Sequence, residues 1–120
     1  MADLRRYGSS RRWADMVVHE GVARWVEVAE DVTLDTRGQV RQVLAQIDAT
    51  LPVVGSDRTR LIEVLVFLAD LGDVATLNAL WDGWVPPDHP PIRAVVQAGL
   101  QGSLRVEMVI TAAVPGKPEA

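Results

Sequence analysis

The chain has no cysteine among its 120 residues. That excludes a disulfide framework, a thiolate nucleophile and a cysteine-ligated metal. Histidine is nearly as scarce. His19 and His89 stand far apart, with no companion at ligand spacing, so no metal site is expected; His19 reads as a surface strand residue and His89 as a loop residue. No glycines gather into a phosphate-cradling loop or a dinucleotide fingerprint. The serines, Ser9, Ser10, Ser56 and Ser103, all fall in expected turns outside any nucleophile elbow, which argues against a serine hydrolase. No apolar run is long enough to span a bilayer, and the N-terminus has charge without a signal-peptide core, so a soluble cytoplasmic protein is expected. Acidic residues outnumber basic ones, and the net charge of −4 sets bulk electrostatics against nucleic acid.

What is present is apolar and periodic. Hydrophobic residues make up 48% of the chain, enough to build a core for a single domain over residues 1–120. A monomer of this size still leaves much apolar surface wet, and assembly would cover it. Residues 1–12 are polar, with Arg5, Arg6, Arg11 and Arg12 clustered; they read as a solvated arm or an edge strand rather than a nucleic-acid arm. Residues 115–120, PGKPEA, read as a disordered tail.

Residues 13–19 and 22–30 predict two strands around a turn at Glu20-Gly21. Thr36 and Gln39 have capping-box spacing. Val40, Val43, Leu44, Ile47 and Leu51 follow as one helical stripe, closed by Pro52 and Gly55. LIEVLVFLAD, 61–70, is apolar at both alternating positions, as in a strand covered on both sides. Gly72-Asp73 opens a second helix that buries Val74, Leu77, Leu80, Trp81 and Trp84; Pro86-Pro87 stop it. Trp81 and Trp84 are therefore helix packing rather than a stacking platform. Strands over 92–99 and 104–114 close the chain around a turn at LQGS. This order fits an α+β fold with both helices on one face of a single sheet. The other face also carries apolar residues: simple alternation sets Ile62, Val64, Val66 and Leu68 against Leu61, Leu65 and Phe67. It would stay exposed in a monomer, which argues for an oligomer.

Two charges interrupt the apolar strands. Arg93 sits at the mouth of PPIRAVVQAGL. Its guanidinium keeps its proton and presents a fork of donors matched to a carboxylate or a phosphate. Glu107 interrupts LRVEMVITAAV and, by alternation, shares a face with Arg105, Val109 and Thr111. Pattern alone favours a structural ion pair, Arg93 with Glu107 or Glu107 with Arg105, over a ligand site. A tight hairpin at Gly102 would set Glu107 nearer Val96 than Arg93.

Four stretches carry a family likeness: RWADMVV, VRQVLAQIDATLPVVGSDRTRLIEVLVFLAD, LNALWDGW and PIRAVVQAGL…LRVEMVITAAV. In order and spacing, over about residues 4–114, the chain resembles the RidA (YjgF-like) family of reactive-intermediate deaminases. Its YoaB-like branch is the nearest, with a tryptophan in place of the more usual tyrosine. The most specific part is Pro91-Ile92-Arg93 followed by Val106-Glu107. The resemblance implies a single mixed sheet resembling chorismate mutase, a homotrimer, and ligand clefts between subunits. It implies an enamine/imine deaminase that hydrolyses reactive 2-imino acids to 2-keto acids and ammonia, with no metal or cofactor. It assigns Arg93 to the substrate carboxylate, Glu107 to a water molecule, Trp13 to the usual tyrosine position lining the site, and Asn78 to the helix near the cleft. The implied partners are a small 2-imino or 2-keto carboxylate and further copies of the chain, not nucleic acid or membrane. A ribonuclease activity has also been attached to the family; the acidic charge and the lack of a histidine pair speak against it. Two departures stand out. Val95 replaces a common cysteine, and Glu27 replaces a glycine whose backbone faces the substrate. They keep open an alternative, a non-catalytic trimer that binds small carboxylate metabolites.

Overall fold

A computed structural model describes residues 4–115 of the chain. Six strands form one sheet in the order β1-β2-β3-β6-β4-β5. They are β1 (Arg5–Tyr7), β2 (Met16–His19), β3 (Val22–Val28), β4 (Leu61–Leu68), β5 (Ile92–Gln97) and β6 (Val106–Ala113), and the helices are α1 (Thr36–Thr50) and α2 (Val74–Asp82). β4 and β5 run parallel; the other neighbours are antiparallel. The sheet is therefore mixed and the fold α+β, as expected. Within the polar N-terminal arm, Arg5–Tyr7 form an edge strand on β2. Of the expected disordered tail, Pro115 is described, and 116–120 lie outside the described residues.

β2 and β3 are joined by Glu20 and Gly21, both left-handed at φ 49 and 78. That is the backbone a two-residue hairpin needs to match the strand twist. α1 buries Val40, Val43, Leu44 and Ile47 against the sheet, and the stripe continues through Leu51 in a 3₁₀ turn ended by Gly55 at φ 72. The cap differs from the expected box. Asp35 is the N-cap and accepts from the Gly38 amide at 2.8 Å. Thr36 is already helical and donates its hydroxyl to Asp73.

β4 carries a bulge between Leu61 and Glu63. One extra residue reverses the alternation, so Leu61 joins Val64, Val66 and Leu68 on the buried helix face while Ile62 is 40% exposed. The last two strands are not a hairpin. β4 lies between β5 and β6, because the α2 crossover returns the chain parallel to β4. On the face away from the helices, Val28, Glu107, Phe67 and Val96 form one row and Val26, Val109, Leu65 and Ala94 the next. Among the described residues no helix is long and apolar enough to cross a membrane.

Two polar clusters tie the helices down. Arg58 binds Asp48 side-on through Nε and Nη2, at 2.7 and 2.8 Å, and donates from Nη1 to the Trp84 carbonyl, while the Trp84 indole donates to Asp48. At the other end Gln39 is wholly buried. Its amide donates to the carbonyls of Leu34 and Ser103, both at 3.0 Å, and accepts from the Arg105 amide at 2.8 Å. It thus fixes the start of α1 to the segment entering β6. Gln39→Leu keeps similar bulk but strands those backbone groups. Urea unfolding should show a loss of roughly 3 kcal/mol, and a loss under about 1 kcal/mol would mean the bridge is redundant.

Candidate functional site

Arg93 pairs with Val64 in the parallel ladder, which turns its side chain to the helix face. There it donates to the Asn78 Oδ1 of α2 at 2.9 Å and lies over the Trp81 ring, 5.2 Å from the centroid. Among the described residues no carboxylate pairs with it. Asn78 and Trp81 are one helical turn apart on one flank of α2, so a single short helix positions both contacts. Val95, two residues on, points the same way and packs against the core.

Glu107 lies on the opposite face of the sheet, between Val28 and Phe67. Among the described residues it makes no hydrogen bond or ion pair. The two ion pairs that pattern favoured are therefore absent. Arg105 precedes β6, so strand alternation does not govern it. Its guanidinium turns to α2 and meets Asp73 Oδ2 and Thr36 Oγ1, both at 3.2 Å. Arg93 and Glu107 are two strands and three residues apart, a backbone separation of about 14 Å, and they face opposite ways.

A cavity of about 1090 Å³ includes Trp13, Glu27 and Glu107 in its lining; Arg93, Asn78 and Val95 do not line it. The candidates thus form two groups. Trp13 is 65% exposed. β2 pairs with β3 only as far as Trp25, so the backbone of 26–28 is left unpaired on that side, next to the cavity.

Glu27 shares the helix face with Met108. Its carboxylate accepts from the Trp25 indole at 3.2 Å, the Gln46 amide at 2.9 Å and the Thr50 hydroxyl at 3.1 Å. Gln46 is itself anchored, donating to the Val28 carbonyl and accepting from the Glu30 amide. Asp15, Trp25, Phe67 and Thr50 also line the cavity and were not singled out from sequence. Gln46 and Thr50 stand four apart, a helical spacing that marks them as one face, but nothing local ties that face to Glu27. Two exposed carboxyls elsewhere, Asp31 and Asp57, are held below their ordinary range by hydroxyl and then amide donors of Thr33 and Thr59; neither lines the cavity.

The family described as Endoribonuclease L-PSP matches residues 4–114. The RutC family protein YoaB of Escherichia coli K12 is 40% identical over 110 residues, 91% of this chain and 96% of the relative. A RutC family protein of Haemophilus ducreyi is 34% identical, over 92% of this chain and 97% of that protein. Among solved structures, NMB1025 of Neisseria meningitidis, a member of the YjgF family, superposes with a TM-score of 0.87 at 36% identity, covering 96% of this chain and 98% of that one. An uncharacterized protein from Pseudomonas aeruginosa gives 0.88 at 38%, covering 93% and 99%.

Because Arg93 is held by one neutral hydrogen bond and one ring, Arg93→Ala should cost only about 1–2 kcal/mol. A broken buried ion pair would cost roughly 3–5 kcal/mol. Thermal and urea unfolding of the variant distinguish the two values.

Proposed function

The chain belongs to the RidA (YjgF-like) family, in its YoaB-like branch, and on that premise we propose that it hydrolyses 2-imino acids in clefts between the subunits of a homotrimer. One observation carries the reading: the charged candidates are split between two places that one chain cannot join. Arg93 with Asn78 forms one half, and Glu107 with Trp13 forms the other. A second copy whose β5 edge meets this cavity completes both. The apolar rows around Leu65 and Phe67 on the helix-free face offer the surface such copies would bury.

In the assembled site Arg93 grips the substrate carboxylate at two points. Glu107 of the adjoining subunit, free of other partners, takes a proton from water as the water oxygen bonds to C2. The imine nitrogen gains that proton, giving a carbinolamine. Glu107 then passes the new hydroxyl's proton to the nitrogen as the C–N bond breaks and the C=O bond forms, so ammonia leaves a 2-keto acid. One imine and one water are consumed. Proton relay by a positioned carboxylate contributes roughly 10²–10⁴-fold. This chemistry calls for no metal or cofactor.

A second reading is a trimer that binds small carboxylates without turning them over. Glu27 and Val95 favour it, since both depart from the family's pattern near the reacting groups. The ribonuclease reading suggested by the family's description finds no histidine in the cavity lining.

Light scattering at micromolar concentration should give about three times the chain mass; a monomer sinks the composite site. Freshly generated imines should release 2-keto acid. Arg93→Ala and Glu107→Gln should each abolish this, and Arg93→Lys should recover part. Mixing the two dead variants under exchange conditions should restore about one quarter of wild-type activity, because only sites pairing an intact Arg93 with an intact Glu107 from different subunits work. Binding without turnover by the wild type would select the second reading.

A further inference from the structure

We infer that the cavity selects ligands with a positively charged side chain, and that Glu27 is the residue that sets this preference. For the reaction it rests on the deaminase reading; for binding it does not. The substrate class is then the 2-imino acids derived from basic amino acids, carrying an ammonium or guanidinium at the far end.

The charge of the lining is one-sided. Asp15, Glu27 and Glu107 bring carboxylates, while among the described residues no arginine or histidine lines the cavity. Three donors hold the Glu27 carboxylate beside it: the Trp25 indole, the Gln46 amide, itself fixed to the backbone of 28 and 30, and the Thr50 hydroxyl, which shares its one proton with the Gln46 carbonyl. All three donors are neutral, so they orient the charge without cancelling it. Arg58 and Arg105, which do neutralise carboxylates, spend themselves on Asp48 and Asp73 elsewhere.

The walls suit a cation as well. Tyr7, Trp13, Trp25 and Phe67 line the same space, and aromatic faces attract ammonium and guanidinium groups. The cavity is at the upper end of sizes that hold drug-sized ligands, far more than a three-carbon imine fills. With Arg93 of a second copy on the α-carboxylate, the two ends of the ligand meet opposite charges. An acidic side chain would face uncompensated repulsion, and a neutral one would gain only the apolar contact. Glu27 touches no reacting atom in this scheme; it is a specificity residue.

The test uses arginine, norleucine and glutamate as probes, bound to the wild-type assembly and followed by NMR titration, together with turnover of the imines an amino-acid oxidase makes from them. Arginine should bind about tenfold more tightly than norleucine, with glutamate weakest. The preference should shrink as salt is raised. Glu27→Gln should collapse the arginine-to-norleucine ratio toward one, whatever it does to each value. Equal affinities, a glutamate preference, or no binding at millimolar concentration overturns the inference. Arginine-selective binding with no imine turnover keeps the inference and removes the deaminase reading. Turnover indifferent to side-chain charge does the reverse.

Discussion

Everything that matters for the site follows from the pairing of β6 on both of its edges. The strand is hydrogen-bonded to β3 on one side and β4 on the other, and Val106, Met108, Ile110 and Ala112 are wholly buried beneath the helices. The alternate residues then have to emerge on the opposite face, which is how a carboxylate comes to stand between Val28 and Phe67. The same pairing pushes β5 to the edge, attached only to β4. Arg93 is carried there and turned the other way. One ladder therefore sets the two candidate charges apart by face and by edge.

The polar groups serve this arrangement rather than compete with it. Gln39, Thr36, Asp73 and Arg105 form a connected set where both helices begin and β6 is entered. Asp48, Arg58 and Trp84 do the same where α1 and α2 end. No buried side-chain nitrogen or oxygen among the described residues lacks a hydrogen bond. With those groups satisfied internally, two half-buried strand carboxylates on the helix-free face, Glu63 and Glu107, make no hydrogen bond or ion pair among the described residues, and of the two only Glu107 lines the cavity.

Periodicity made the fold readable where the structure is local. The stripe from Val40 to Ile47, the packing of Leu77 and Trp81, and the turn at Glu20-Gly21 all stand as read, whereas α2 ends at Asp82, so Trp84 is buried from the turn after the helix rather than from the helix itself. The misplaced details are non-local or depend on a single residue. The Leu61–Glu63 bulge is one extra residue with no mark of its own. Asp35 outcompetes Thr36 for the cap because it lies one position earlier with a better acceptor. The separation of β5 from β6 depends on which strand β5 pairs with, and no window of sequence contains that choice. For the site, pattern could point out Arg93 and Glu107 but paired them with each other or with Arg105. The roles expected of them came from likeness to a family, and the reason they avoid each other came from register. The three donors around Glu27 were out of reach, since Trp25, Gln46 and Thr50 meet only after α1 folds back over β3.

The tryptophans also make the molecule optically legible. Trp25, Trp81 and Trp84 are at most 7% exposed, whereas Trp13 is 65% exposed and lines the cavity. Their emission should divide into a blue component from the interior and a red one from Trp13. Excitation at the long-wavelength edge of the indole band singles out the latter. Trp81, beneath the Arg93 guanidinium, emits with Trp25 and Trp84 in the blue component. Without any label, the red component can therefore report on what enters the cavity.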